Sequence, residues 1–128
     1  MKPVACEIKP AGHYSPAIVS GSRVYVAGQP SVDPATGKTA EGGIRGEVLM
    51  ALSRMETILK SAGCTRENVV VCRIYVTSMQ HWGVVNAAFA EFFGEHRPAR
   101  IVLPAGDLGG FNVELEAEAE LPGTPAAL

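Results

Sequence analysis

Apolar and acidic residues alternate strictly near the end of this chain, over residues 113–121. Val, Leu or Ala occupies each odd position, and Glu occupies each even position from 114 to 120. Successive side chains of a β-strand point to opposite faces, so this period predicts a strand with one face on a core and carboxylates on the other. Like charges on one strand face repel, so at least one glutamate needs a cationic partner or a cleft. The candidate partners are, in order of proximity, Arg100, Arg23 and Arg73.

Arg100 stands immediately before an apolar strand candidate, residues 101–103, which a Gly-rich connection joins to the acidic strand. If that connection closes a simple hairpin, Leu103 pairs with Phe111 and Arg100 falls opposite Glu114. The two Cβ atoms would then lie about 5 Å apart. A guanidinium and a carboxylate placed together in this way can hold a small acid and activate a water molecule.

The composition predicts one globular domain covering residues 1–128, because 47% of the residues are hydrophobic and 19% are charged. A net charge of −2 disfavours nucleic acid as a partner, since affinity for nucleic acid depends mainly on neutralising phosphates. The first residues lack the apolar core of a signal peptide, and no apolar run approaches the roughly 18 residues of a membrane span. We therefore expect a cytoplasmic protein with no membrane partner.

Three cysteines at positions 6, 64 and 72 show no CxxC spacing, which predicts reduced thiols rather than disulfides or a zinc site. Cys72 lies in the apolar run 69–72, where a small buried hydrophobic residue is the common role of cysteine. The histidines also lack the spacing of metal ligands. No metal is expected.

Strands and two helices alternate along the predicted secondary structure. The helical pattern over residues 43–62 ends at Gly63, and a second helix over 79–93 has Ser78 as its N-cap and Gly94 after its end. An Asp-Pro-x-x-Gly sequence predicts a tight turn at 33–37. The strand candidates are residues 4–8, 17–19, 22–27 and 68–77, followed by the final hairpin.

This order of elements predicts an α+β fold in which two helices pack on one face of a mixed sheet. Residues 68–77 are apolar on both faces apart from Arg73, as in a sheet that is covered on both sides. Two helices cannot cover both faces, so a partner subunit is the simplest cover for the second face. A ligand site at the subunit boundary would then be natural.

Several short motifs, taken in order, resemble the RidA or YjgF-type family, also called 2-iminobutanoate/2-iminopropanoate deaminases. The resemblance extends from about Ala11 to Leu121, and the order and spacing of the motifs make it specific. The motifs are His-Tyr-Ser-Pro-Ala at 13–17, Val-Ala-Gly-Gln at 26–29, Asp-Pro-Ala-Thr-Gly at 33–37, Val-Asn-Ala-Ala-Phe at 85–89 with Phe-Phe at 92–93, Pro-Ala-Arg at 98–100 and Val-Glu-Leu-Glu-Ala at 113–117.

The resemblance implies a chorismate-mutase-like fold and a homotrimer with clefts between subunits. It also implies hydrolysis of reactive enamines and imines, the products of pyridoxal-phosphate enzymes, without a cofactor. In the family pattern, Arg100 would grip the substrate carboxylate and Glu114 would orient the attacking water. The remaining substrate-binding positions that the resemblance implies are Tyr14, Ala27, Gly28 and Asn86.

The chain departs from the family pattern at three places. Ile101 and Val102 stand where many members have a small or hydroxyl residue and then often Cys, so a reactive thiol is absent there. Gly109 replaces a common Pro, and the loop before the last strand is one residue short. That shortening leaves Glu116 as an alternative to Glu114.

The chemistry also follows from the side chains themselves. A planar guanidinium makes two parallel charge-assisted bonds to a carboxylate, and a glutamate can position water as a general base. Imines already hydrolyse in water, so positioning suffices and no strong nucleophile is required. The expected substrate is a small 2-imino acid, converted to a 2-keto acid and ammonia. The alternatives are a deaminase of a ring-cleavage enamine such as 2-aminomuconate, a non-catalytic metabolite-binding protein and, ranked last, an RNA-cleaving enzyme.

Overall fold

A computed structural model describes residues 1–123; the end of the predicted domain, residues 124–128, lies outside the described residues. Six strands form one mixed sheet in the order β1-β2-β3-β8-β6-β7, and a short ribbon of β4 and β5 flanks the predicted turn at 33–37. The strands are β1 (Lys2–Pro3), β2 (Ala17–Ser20), β3 (Arg23–Pro30), β4 (Val32–Asp33), β5 (Lys38–Thr39), β6 (Val69–Val76), β7 (Ala99–Pro104) and β8 (Val113–Glu120).

Two helices, α1 (Gly43–Ser61) and α2 (Trp82–Phe93), pack against each other, and α1 packs on β3 and β8. The apolar stripe of α1 lies in the core, together with the odd-numbered residues of β8. The predicted glycines after both helices are confirmed, since Gly63 and Gly94 have positive φ. The predicted start of the second helix needs correction: Ser78 caps a short 3-10 helix, Met79–His81, through the Gln80 amide, and α2 begins only at Trp82, where His81 makes no side-chain cap. The α+β fold with both helices on one face is thus confirmed. No helix within residues 1–123 combines the length and apolar character needed to cross a bilayer.

The predicted final hairpin is wrong. β7 pairs with β6 in parallel, and β8 lies between β3 and β6, antiparallel to both. Arg100 therefore lies beside Cys72, whereas Glu114 lies beside Tyr75 on one side and Pro30 on the other. A hairpin would leave β8 near an edge of the sheet. A central position buries the apolar, odd-numbered face of β8 more completely.

Two further strand predictions need correction. Residues 4–8 form no strand, although Val4 and Ile8 are buried and the Val4 amide donates to the Ala17 carbonyl. β3 does not end before Gly28 but continues to Pro30 past an irregularity in register between Val26 and Gln29. A β-bulge of this kind bends a strand and redirects its side chains, as commonly happens next to functional sites.

Gly46 has no room for a side chain, although it lies inside α1. A Cβ atom built there would lie 1.8 Å from the carbonyl oxygen of Glu41. We expect Gly46→Ala to lower the free energy of unfolding by about 1–3 kcal/mol, because this overlap outweighs the gain in helix propensity. Gly83→Ala in α2 is the matched control: its Cβ would meet no atom within 4 Å, so stability should rise by about 0.5–1 kcal/mol. Urea unfolding of both variants measures the difference, and equal effects would contradict it.

Candidate functional site

Arg100 projects from β7 toward α2, on the same face of the sheet as the helices. Its Nη1 atom donates a hydrogen bond of 2.9 Å to Oδ1 of Asn86. The guanidinium carbon lies 4.9 Å from the ring centroid of Phe89 and 5.7 Å from that of Trp82. Aromatic faces attract a cation, and the amide holds one nitrogen, so the remaining guanidinium donors are left for a ligand.

A cavity of about 530 Å³ adjoins this guanidinium, with Asn86, Phe89, His96, Arg97 and Arg100 among its lining residues. The structure therefore brings together two of the predicted site residues, Arg100 and Asn86. Phe89 adds an aromatic wall to the cavity, and Trp82 lies beside the guanidinium outside the cavity lining. The sequence did not reveal either role, because an aromatic residue at helical spacing is usually part of the core.

Glu114 lies on the opposite face of the sheet, which carries no helix. It lines a second cavity of about 450 Å³ together with three predicted site residues, Tyr14, Ala27 and Gly28. Gly28 lies close to the Glu114 carboxylate, because a Cβ atom built at Gly28 would lie 3.1 Å from Oε2 of Glu114. A glycine within the irregular part of β3 therefore leaves space for this carboxylate.

Leu108 and Phe111 also line this second cavity, and they were missed in the sequence. Both are isolated apolar residues in a Gly-rich loop, and such a position is a weak signal for a binding surface. The loop supplies the apolar wall that faces Glu114.

The three glutamates near the site differ in their partners. Glu118 forms a salt bridge with Arg73 at 2.6 Å, and Glu116 accepts a hydrogen bond from the Tyr75 hydroxyl. The side-chain carboxylate of Glu114 makes no hydrogen bond or salt bridge with any residue in the range 1–123. Arg73, not Arg100, is therefore the cationic partner of the acidic row, and among Glu114, Glu116 and Glu118 the Glu114 carboxylate is the one without such a partner in residues 1–123.

The environment of Glu114 favours its protonated form. Partial burial raises the pKa of this carboxyl above its ordinary value, and the nearby Glu116 carboxylate raises it further. A carboxylate with a raised pKa is a stronger base, which suits removal of a proton from water.

Arg100 and Glu114 do not meet within one chain. Their strands are separated by β6, so they lie about 10 Å apart across the sheet, and their side chains are on opposite faces. The residues also differ in register by three positions of β6, from Cys72 to Tyr75, or about 10 Å along the strands. Each chain thus carries two separate half-sites. We call them the arginine half-site (Trp82, Asn86, Phe89, Arg100) and the glutamate half-site (Tyr14, Ala27, Gly28, Phe111, Glu114).

Cys72 is close to Arg100 but is not a candidate nucleophile. Burial raises the pKa of its thiol to about 12, in agreement with the predicted role of a small core residue. Within residues 1–123, no group of three or more His, Cys, Asp or Glu side chains has the arrangement of a metal site.

Comparison with known proteins supports the fold and the motif resemblance. The family model described as Endoribonuclease L-PSP matches residues 5–121. A human protein named 2-iminobutanoate/2-iminopropanoate deaminase is 34% identical over 119 residues, which cover 91% of this chain and 87% of the human protein. A RutC family protein from Pyrococcus horikoshii is 35% identical over 100 residues, covering 78% of this chain and 79% of that protein.

Among solved structures, the YjgF gene product of E. coli superposes with a TM-score of 0.86 at 27% sequence identity. The match covers 94% of this chain and 98% of the E. coli chain. This likeness confirms the chorismate-mutase-like fold, in which one mixed sheet carries two helices on one face. Together with the ordered motifs and the two half-sites, these matches show that the chain belongs to the RidA/YjgF family, whose family model is Endoribonuclease L-PSP.

Proposed function

We propose that this protein hydrolyses 2-imino acids, and the enamines in equilibrium with them, to 2-keto acids and ammonia without a cofactor. The observation that carries the proposal is the pair of half-sites. One has an accessible guanidinium, and the other has a carboxylate that no side chain of residues 1–123 pairs with, in a largely apolar cavity. The names of the relatives, among them the human 2-iminobutanoate/2-iminopropanoate deaminase, support the same reaction class.

Arg100 binds the substrate carboxylate through two parallel hydrogen bonds, which fix the position of the neighbouring C=N carbon. Glu114 accepts a proton from a water molecule as the water oxygen forms a bond to that carbon. The resulting carbinolamine takes a proton on nitrogen, the C–N bond breaks, and ammonia leaves as the hydroxyl proton is lost and the keto group forms. The overall reaction consumes one water and releases one ammonia per imine.

The reaction requires both half-sites, so we propose that each active site forms between two subunits of a homotrimer. The helix-free face of the sheet provides the contact surface. It carries three large side chains that are 42–47% exposed, namely Tyr25, Ile101 and Leu103. Exposed apolar groups of this size on one face favour burial against another copy of the chain. Closure of the trimer would bring Arg100 of one subunit to Glu114 of the next.

RNA cleavage, which the description of the family model mentions, is disfavoured by charge. The net charge is −2, and the glutamate half-site adjoins the carboxylates of Glu116 and Glu118. Such a surface repels a phosphodiester backbone.

The experiment is a coupled assay in which an amino-acid dehydratase or oxidase generates the imine and keto-acid release is followed. We expect the purified protein to raise the rate of release well above that of spontaneous hydrolysis. A rate equal to the spontaneous one would refute the proposal. Calorimetric binding of 2-oxobutanoate without turnover would instead assign the metabolite-binding role.

The same assay reports on the protonation of Glu114. The base must be ionised, so kcat/KM should rise with pH through the pKa of this carboxyl, with a midpoint above that of an ordinary glutamate. Glu116→Gln removes one of the two causes of the raised pKa, so the midpoint should move to lower pH. Glu120→Gln, at the other end of β8, is the control and should leave the midpoint unchanged. A shift to higher pH in Glu116→Gln would contradict the assignment.

A further inference from the structure

A third cavity, of about 410 Å³, adjoins the glutamate half-site and reaches Arg54 of α1. It shares five lining residues with the cavity at Glu114, namely Ala11, Tyr14, Gly28, Pro30 and Phe111. Because these walls are common to both cavities, a ligand bound at Glu114 can extend past Tyr14 into the third cavity. We call this continuation the Arg54 pocket, after the residue at its inner wall.

Arg54 is a half-buried cation whose hydrogen-bond partners within residues 1–123 are neutral. Its Nε atom donates to Oε1 of Gln29 at 3.2 Å, and its Nη1 atom donates to the Val32 carbonyl at 3.4 Å. The salt bridges within residues 1–123 involve Arg45, Lys60, Arg66 and Arg73 as cations, and Arg54 forms none of them.

Burial disfavours the charge on Arg54, since desolvation lowers its pKa from the ordinary value. The coulombic effects of Tyr14 and Cys6 oppose this change. A guanidinium that has lost part of its water without gaining a carboxylate is electrostatically unsatisfied, and an anionic ligand would restore the balance.

The other walls of the Arg54 pocket suit a short carbon chain that ends in an acid. Lys9 adds a second cation and Glu7 adds one carboxylate, so the charged lining residues sum to one positive charge. The remaining walls are largely apolar and include Ile8, Pro16 and Pro34. Apolar walls with a few placed polar groups are typical of sites for small molecules.

We propose that the Arg54 pocket binds a second acidic group of the substrate, so that the preferred substrates are 2-imino acids or enamines carrying a further carboxylate. This inference rests on the proposed function. The carboxylate next to the C=N carbon binds Arg100 of the neighbouring subunit, the carbon faces Glu114, and the distal carboxylate binds Arg54. Two hydrogen bonds to Arg54 orient the carbon chain of the substrate along the Arg54 pocket.

The test compares two imines produced in the coupled assay, the monocarboxylic 2-iminobutanoate and the dicarboxylic 2-iminoglutarate. We expect Arg54→Met to lower kcat/KM for the dicarboxylic imine by about 10- to 100-fold, and that for the monocarboxylic imine by less than about twofold. Arg54→Lys, which keeps the charge, should retain part of the preference. Arg45→Gln removes a charge from the exposed face of the same helix and should change neither rate. Equal losses on both imines in Arg54→Met would overturn the proposal.

A binding measurement separates failure of this inference from failure of the proposed function. Calorimetry with 2-oxoglutarate and 2-oxobutanoate requires no turnover. Tighter binding of the dicarboxylic acid that is lost in Arg54→Met supports the pocket even if neither imine is hydrolysed. Hydrolysis of 2-iminobutanoate together with equal affinity for both keto acids would refute the pocket and leave the proposed function standing.

Discussion

Replacing Arg100 by Ala is expected to lower kcat/KM for imine hydrolysis by about 10²-fold or more, since two charge-assisted hydrogen bonds to the substrate carboxylate are lost. Glu114→Gln should lower kcat by about 10²–10⁴-fold, because the amide cannot accept the proton of the attacking water. The kcat/KM of Arg100→Lys should lie between those of wild type and Arg100→Ala, because an ammonium cannot form the two paired hydrogen bonds. Steady-state kinetics with the coupled assay measure all three variants.

Mixing the two inactive variants tests the placement of the half-sites. A site that joins Arg100 of one subunit to Glu114 of another is intact when its arginine comes from a Glu114→Gln chain and its glutamate from an Arg100→Ala chain. Random assembly of equal amounts gives that combination in about a quarter of the sites of a closed homotrimer. We therefore expect co-refolded mixtures to regain about a quarter of the wild-type activity.

Each variant alone, refolded in the same way, is the control and should stay inactive. If the mixture also stays inactive while native mass spectrometry shows mixed trimers, the two residues do not act across a subunit boundary. If Arg100→Ala alone retains wild-type kinetics, the role of Arg100 in binding the substrate is refuted.

Replacing Glu47 by Ala is expected to lower the free energy of unfolding by about 3 kcal/mol. This carboxylate of α1 is only 3% exposed and accepts three hydrogen bonds. The Ser31 hydroxyl donates at 2.7 Å, and the Asn112 amide nitrogen and side-chain Nδ2 each donate at 2.9 Å. Removing the acceptor leaves these three donors without partners in the interior, and buried donors without partners are costly.

Urea unfolding at a fixed protomer concentration measures this loss, because assembly makes apparent stability depend on concentration. Glu95→Ala, at an exposed position, is the control and should change stability by no more than about 0.5 kcal/mol. Glu47→Gln keeps one acceptor oxygen, so its free energy of unfolding should fall by less than that of Glu47→Ala. Equal stability of Glu47→Ala and wild type would show that the three bonds contribute nothing net.

The burial of Glu47 could not be predicted from the sequence. A glutamate at the start of an amphipathic helix is ordinarily solvated, and nothing in its neighbours indicates burial. In the structure its carboxylate accepts a hydrogen bond from the Asn112 side chain, which links α1 to the start of β8. Asn112 in turn accepts a hydrogen bond from the Thr77 hydroxyl at 2.9 Å. This network holds the loop that carries Phe111, one wall of the glutamate half-site.

Sequence patterns predicted those structural features whose physical cause lies within a short segment. The helical repeat with Gly63 at its end predicted α1 to within one residue, and the period of two in β8 predicted which face would be buried. The motif resemblance named residues that the structure groups into two cavities, Asn86 with Arg100 and Tyr14 with Glu114. It could not show that the two groups lie on opposite faces.

The sequence by itself determined the two helices, the buried face of the acidic strand and the motifs of the family, because periodicity, capping and side-chain chemistry are properties of short segments. Tertiary structure alone decided that β8 lies between β3 and β6, that Arg73 rather than Arg100 pairs with the acidic row, and that the Glu114 carboxylate has no such partner among the described residues. Strand order depends on pairing between distant segments, and the best burial of the whole sheet selects it. That selection separates Arg100 from Glu114 within one chain, so a site that contains both residues requires two chains.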